Sequence, residues 1–261
     1  MDRANKENTE LIRSTLILPD GSRTVKETEV LKEHGLTLIV NEQRVARLIC
    51  TRGNLRELVT GRLFTEGFIE RADEIKKIWF CPHETEARVF LDHDAEFGKL
   101  LRDDGSCCIG NRAFLENIGR KPPEKLTPAV WEPQWIRSMA SHFKEGMSLH
   151  KKTQGTHSCL LGRGADIVFE CEDIGRHNAV DKAVGYALIN GIPVSECILY
   201  TSGRVPVDMV SKVISAGIGV LASKSVPTAE AVDLAAEYGL TLICRAHEDS
   251  IQVMNEPSQR F

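Results

Sequence analysis

The chain has 261 residues, of which 27% are charged and 42% hydrophobic, with a formal net charge of −4. That length can hold one large core or two modest ones, the mild acidity argues against a general nucleic-acid or membrane surface, and no apolar run reaches transmembrane length. Met1 to Glu10 is polar and mixed in charge, unlike a signal peptide, so the chain is expected in the cytoplasm with its first residues disordered or forming an edge.

Strand-like runs come first, at Leu11 to Leu18 and Leu36 to Val40. Asn54, with Glu57 in the capping-box position, is expected to cap a helix lined by Leu55, Leu58, Val59, Leu63 and Phe64 and ended by Gly67. Ile75 to Phe80 and Ala87 to Leu91 read as two more strands. A polar, glycine-bounded loop follows at Asp103 to Asn111, then a short helix-like piece around Phe114 to Ile118. Residues 120–134 hold four prolines and no periodic pattern, which makes a connector. Trp135, Ile136, Met139 and Phe143 mark a helix ending near Gly146.

From Ser158 on, strands and helices alternate, which predicts an α/β sandwich with largely parallel strands at its end. A strand from Asp166 to Cys171 runs into Glu172-Asp173-Ile174-Gly175-Arg176-His177-Asn178, and from there into a helix with Val180, Ala183, Val184, Ala187 and Leu188 on one face. Gly175 permits the turn, and Asn178 with Asp181 reads as a capping pair. A second turn of the same design, Thr201-Ser202-Gly203-Arg204, joins the strand Ile198 to Tyr200 to a helix from about Pro206 to Ala216. The remaining elements are Ile218 to Leu221, Thr228 to Tyr238 ended by Gly239, and Leu240 to Ile243. Two Gly-Arg turns can be ordinary capped turns with solvated arginines. The favoured reading is a pocket for a phosphate-bearing ligand, because helix N-termini offer free N–H groups and the carboxyl ends of strands are where such sheets bind.

Among eight cysteines, Cys50, Cys159, Cys171, Cys197 and Cys244 lie in or beside apolar runs and are expected as core thiols. Cys81 precedes Pro82 in a turn. Cys107 and Cys108 sit in the polar loop, where a thiolate nucleophile, an idle loop thiol and a strained vicinal disulfide are all open readings. Cys81, His83, His93, Cys107 and Cys108 lack the spacing of a zinc site, and the H-x-E…P-C-x-x-C pair of nucleoside deaminases is absent, so no structural metal is expected. Ser202 has no G-x-S-x-G around it and is better read as a phosphate or cap contact.

Taken together, Ile39-Val40-Asn41, Thr65-Glu66-Gly67, Gln154-Gly155-Thr156-His157, the E-D-x-G-R-H-N-A-x-D-K run from Glu172 to Lys182, Thr201-Ser202-Gly203-Arg204 and Gly239-Leu240-Thr241-Leu242 resemble the formate dehydrogenase accessory sulfurtransferase family (FdhD/NarQ), over roughly residues 36 to 254. The resemblance implies a sulfur carrier, loaded by a cysteine desulfurase, that passes sulfur to a molybdenum (or tungsten) bis(molybdopterin guanine dinucleotide) cofactor for formate dehydrogenase. It also implies a homodimer, a smaller N-terminal α/β domain (1–120, with the cysteine loop 103–111), the connector (121–134) and a deaminase-like three-layer α/β/α domain without zinc (135–261).

Carried over position by position, Cys107 is the persulfide candidate. The family loop reads S-C-G-x-C-G, whereas this chain has Cys108 at the first glycine and Gly110 at the second cysteine, so Cys108 is a substitute second thiol. His157, Asp173, Gly175, Arg176, His177, Asn178, Thr201, Ser202, Gly203 and Arg204 are expected to hold the guanine dinucleotide, with His157 and Asp173 as polar groups relaying a proton. Arg245, Ala246, His247, Glu248, Asp249 and Ser250 occupy the place of a family stretch that borders the cofactor, but their chemistry departs from it. The rival expectation is a chaperone that delivers the cofactor without a covalent step.

Overall fold

In a computed structural model, residues 8–94 and 124–257 are described. The loop 103–111 with Cys107 and Cys108, and the helix-like piece at 114–118, lie outside them. Three sheets organise the described residues. The first is an antiparallel ribbon of β1 (Thr9–Ile17) and β2 (Arg23–Leu31). The second has the order β4-β3-β6-β5, built from β3 (His34–Val40), β4 (Gln43–Cys50), β5 (Ile75–Phe80) and β6 (Glu86–Leu91), with β3 and β6 parallel and the other pairs antiparallel. Helix α1 (Leu55–Thr65) makes the crossover between its two hairpins. Every second residue of β3 is buried, and Leu36, Leu38 and Val40 meet Leu55, Leu58, Val59 and Leu63 of α1.

The third sheet has six strands in the order β12-β11-β10-β9-β7-β8: β7 (His157–Arg163), β8 (Asp166–Asp173), β9 (Cys197–Thr201), β10 (Val220–Ser223), β11 (Thr241–Cys244) and β12 (Gln252–Asn255). β9, β10 and β11 are parallel, as the alternation of strands and helices predicts, while β7, β8 and β12 pair antiparallel. Helices α4 (Arg176–Ile189), α5 (Val207–Ser215) and α6 (Ala229–Tyr238) cover one face, burying Val180, Val184, Met209, Val213 and Ala231 against Cys159, Leu161, Leu199, Leu221 and Leu242. Helix α2 (Pro133–Gly146) covers the other face with Ile136, Met139 and Phe143 against Leu160, Tyr200 and Ile243. Three layers result, and both faces of the central strands are apolar as a doubly covered sheet requires. A short helix α3 (Ser148–Thr153) leads into β7.

The two larger sheets are joined where α1 crosses α4. A Cβ added at Gly61 would lie 1.8 Å from the Asp181 carbonyl oxygen, and one at Gly185 would lie 1.9 Å from that of Glu57. The helices touch backbone to backbone, which only glycine permits here.

Several local expectations need correcting. Gly175, not Asn178, is the N-cap of α4, and no side chain caps that helix. Asn54 precedes α1 in the left-handed region and makes no side-chain cap, although Gly67 does end the helix with a φ of 84°. Pro206 is the N-cap of α5 and Val207 its first helical residue. The five cysteines expected in the core are buried free thiols, and Cys81 is half-buried. Strands β2, β4 and β12 and helix α3 carry no signal in the sequence reading.

Candidate functional site

One end of the six-stranded sheet gathers the predicted residues. β7 starts there, at His157, which pairs with Asp173 at the finish of β8. β9 finishes there at Thr201, in register with Cys159, and β10 finishes beside it at Ser223. The loop after β11, from Arg245 to Ser250, leaves the same end: the Arg245 and Ala246 amides donate to the carbonyls of Ser225 and Ser223, at 2.8 and 2.9 Å. The sheet therefore brings His157, Gly175 to Asn178, Thr201 to Arg204 and residues 245–250 to a common edge, facing the N-terminus of α4.

Within that edge the acidic and amide groups point inward. Asp173 is fully buried. Its Oδ1 accepts from the Gly175 amide and the Asn178 side chain, both at 2.9 Å, and its Oδ2 accepts from the Thr51 amide at 3.1 Å and lies 2.7 Å from Lys182 Nζ. Lys182 also donates to the Thr51 hydroxyl at 2.8 Å and the Glu172 carbonyl at 3.1 Å. Asn178 donates to the Ile49 carbonyl at 2.8 Å. Asp173 and Asn178, expected to line the ligand pocket, instead fasten the end of β4 to the turn after β8. A buried carboxylate needs paired charge and donors, and Lys182, Thr51, Asn178 and Gly175 supply them.

Glu172 is likewise committed. It accepts from the Leu149 and His150 amides at 2.8 and 2.6 Å and from the Thr156 hydroxyl at 2.9 Å, so it holds the first turn of α3 and the approach to His157. Asp181 pairs with Lys212 at 2.7 Å and accepts from the Thr65 hydroxyl at 2.8 Å.

The second turn is tied in the same manner. The Ser202 hydroxyl accepts from the Ser158 amide at 2.9 Å, the Thr201 hydroxyl from the Gly203 amide at 3.2 Å, and the Gly203 carbonyl from the Ser223 hydroxyl at 2.7 Å. Arg176 lies across Gly203, where an added Cβ would meet its Cβ at 3.1 Å and its Cδ at 3.3 Å. In the last loop the Ala246 carbonyl accepts from Tyr200 at 2.8 Å and Glu248 pairs with Lys144 at 2.5 Å, while Arg245, His247, Asp249 and Ser250 are exposed.

Arg176, His177 and Asp208 cluster where α4 and α5 begin. Arg176 and His177 meet Asp208, from the first turn of α5: His177 Nε2 is 3.0 Å and Arg176 Nη2 4.0 Å from Asp208 Oδ2. Burial lowers the His177 pKa, and Lys212 and Arg176 add to that, against the opposing pull of Asp208. His157 is lowered too, by burial first and then by Arg176, His150 and His177. Burial pushes Asp208 up, but His177 and Arg176 outweigh it and hold the carboxyl below its usual range. Arg204, at the end of the second turn, is exposed. The sequence reading missed Asp208, Thr51, Thr65 and Lys212. An acidic residue in a first helical turn is ordinary, so Asp208 carries no signal apart from its neighbours.

Both imidazoles titrate below their unfolded pKa, so the unfolded chain binds more protons as the pH drops through the ordinary histidine value. Their contribution to stability is complete above about pH 6.5 and fades as the pH falls towards the lowered folded values. The melting temperature is expected to fall between about pH 7.5 and 5.5, and less steeply in a His157→Asn, His177→Asn double variant. An equal slope in both proteins would show that other groups govern this range.

The thiols divide sharply. Burial pushes Cys50, Cys171 and Cys244 up to about 12 and Cys197 to about 11, which leaves them unreactive. Cys81, on the turn between β5 and β6, is lowered, chiefly by the Thr85 hydroxyl 3.4 Å away.

Comparison with known proteins follows the same outline. Residues 31–261 match the sequence profile of the FdhD/NarQ family. The chain is 31% identical to the sulfur carrier protein FdhD of Staphylococcus aureus (strain MRSA252), over 92% of each chain. It is 33% identical to the sulfur carrier protein FdhD of Bacillus pumilus (strain SAFR-032), over 90% of this chain and 91% of that one. A solved structure from Desulfotalea psychrophila, described as a formate dehydrogenase accessory protein, superposes with a TM-score of 0.78 at 27% identity, covering 96% of this chain and 98% of that one.

Proposed function

The chain belongs to the FdhD/NarQ family, and from that premise we propose that it is a sulfur carrier serving a formate dehydrogenase. A cysteine desulfurase is its sulfur donor. The Cys107 thiolate attacks the outer sulfur of the donor's persulfide, the donor's S–S bond breaks, and the donor cysteine leaves as a thiolate. Cys107 then bears the transferable sulfur, with no net oxidant required. The acceptor is the molybdenum or tungsten bis(molybdopterin guanine dinucleotide) cofactor, handled as a substrate by a cytoplasmic homodimer.

The observation that carries the acceptor half of this reading is the convergence of Arg176, His177 and His157 at one sheet end, beside the N-terminus of α4, with the exposed Arg204 closing the neighbouring turn. Phosphates are held by such groups: a guanidinium offers paired donors, imidazoles add charge when protonated, and the helix terminus favours an anion. Asp173, Asn178, Thr201 and Ser202 serve this site by positioning, because their polar groups fix the two turns.

The decisive experiment incubates the protein with a cysteine desulfurase and cysteine and reads the loop by mass spectrometry. A persulfide on Cys107, lost in Cys107→Ala and kept in Cys108→Ala, is the expected result. Loss only in Cys108→Ala would move the carrier to the neighbouring thiol. An unmodified loop in a protein that still binds the cofactor would reduce the role to non-covalent delivery.

A further inference from the structure

The ribbon of β1 and β2 takes no part in the site described above, yet it concentrates the exposed apolar surface. Among the described residues eleven large apolar side chains are exposed, and seven of them fall between Leu11 and Val30. Four belong to β1: Leu11 is 62%, Ile17 58%, Ile12 44% and Leu16 42% exposed. The base of the ribbon is fastened to the body through Asn8, whose carbonyl accepts from the Lys32 amide and whose side chain accepts from the Arg52 amide, both at 2.8 Å. Beyond β2, β1 pairs with no strand among the described residues. A two-stranded ribbon is marginal by itself in water, and an open, apolar edge is a template for a further strand. We propose that β1 pairs antiparallel with β1 of a second copy of this chain, about a two-fold axis through Ser14, to give a four-stranded sheet of order β2-β1-β1-β2.

The order of residues along β1 argues for that occupant. Leu11-Ile12-Arg13-Ser14-Thr15-Leu16-Ile17 has the same apolar pattern read in either direction from Ser14. In an antiparallel pair about a two-fold axis, residues equally far on either side of the axis face one another. Leu11 then faces the partner's Ile17, and Ile12 faces the partner's Leu16. Symmetry makes each pair twice. Leu11 and Ile17 lie on one face of the strand and Ile12 and Leu16 on the other, so both faces of the new sheet gain apolar cross-strand pairs. Arg13 faces Thr15 and Glu10 faces Leu18, and no like charges meet. The neighbouring registers fail. Centred on Arg13, the pairing sets arginine against arginine; centred on Thr15, it sets Ile17 against Arg13 and Leu16 against Ser14. Strand β2 offers no equivalent, because centring on any of its three middle residues, Lys26, Glu27 or Thr28, opposes like charges. The pairing also gives partners to the backbone groups along the open edge of β1. It supplies a surface for the homodimer included in the reading above, and it is argued from the ribbon alone.

Sedimentation of the full chain over a concentration series reads the association, and mass spectrometry of Ser14→Cys after mild oxidation reads the register. The expected result is a dimer carrying a disulfide between position 14 of one copy and position 14 of the other, because directly opposed Cβ atoms lie about 4.5–5.5 Å apart, close to disulfide reach. Lys26→Cys, one strand further from the axis, is expected to give no such link. Leu16→Glu is expected to raise the dimer dissociation constant roughly tenfold or more, since it sets a charge against Ile12 twice over. Adding Ile12→Lys to Leu16→Glu places opposite charges across the axis and is expected to restore most of the association, a recovery that a misfolded ribbon would not give. A dimer that Leu16→Glu leaves unchanged, with no link at position 14, would overturn the pairing and leave the homodimer standing. A monomer at every concentration would overturn both, while the persulfide experiment on Cys107 would still decide the sulfur chemistry.

Discussion

Alanine at Gly61 or Gly185 is expected to cost about 3 kcal/mol or more of stability, against a helix-propensity gain of only about 1 kcal/mol. On an exposed helix the same change would stabilise. Here the new methyl would sit at less than 2 Å from a carbonyl oxygen of the facing helix, and its neighbour is backbone, which cannot rotate away. The helices must separate, and with them the apolar seam on either side, including Phe64, which touches both cores. Chemical denaturation of each variant checks this. A midpoint at or above that of the parent would mean that α1 and α4 pack less closely than described.

Lys182→Met is the second large effect, expected at about 3–5 kcal/mol, because it leaves the Asp173 carboxylate buried without its countercharge. Lys182 and Asp173 are both 0% exposed at the side chain, so water cannot replace the lost partner. Combining Lys182→Met with Asp173→Asn removes both charges and keeps an acceptor for Thr51. The double variant is expected to be more stable than Lys182→Met alone, giving a favourable coupling energy in a double-mutant cycle. Additive losses would show that the ion pair contributes little beyond its separate hydrogen bonds.

The same residues show what a sequence can and cannot disclose. The run from Glu172 to Lys182 was legible as a strand-to-helix turn at an anion site, since the glycine, the apolar spacing and the basic pair are local signals. Its division of labour was not. Glu172, Asp173, Asn178, Asp181 and Lys182 are used against Thr51, Ile49, Thr65, Lys212, Leu149 and His150, partners up to 131 residues away in the chain. Nothing in their spacing separates a group that grips a ligand from one that grips the other half of the molecule. Asp208 was invisible for a related reason, since only the fold sets it against His177.

The missed strands have local causes. In β4 the register slips between Leu38 and Ile39 of its partner, leaving Val45 as an extra residue, and this bulge puts Val45, Leu48 and Cys50 on the buried side together. Strict alternation cannot find such a strand. β2 is charged and largely exposed along its whole length, so no buried face imprints a period on it. β6 is legible because alternate residues are buried, and the three parallel strands because every residue is.

The glycine crossing also decides what the protein holds fixed. Helix α4 carries Arg176 and His177 at one end and Gly185 nine residues, about 13 Å, along the same rigid rod. Pinned to α1 at the crossing and to β4 through Lys182, that rod cannot slide or tilt alone. The turn opposite is tied as well, through Ser202 to Ser158 and Gly203 to Ser223, so both walls hold their shape together. The arginine and histidine thus sit on a backbone fixed in advance, and a ligand need not order it.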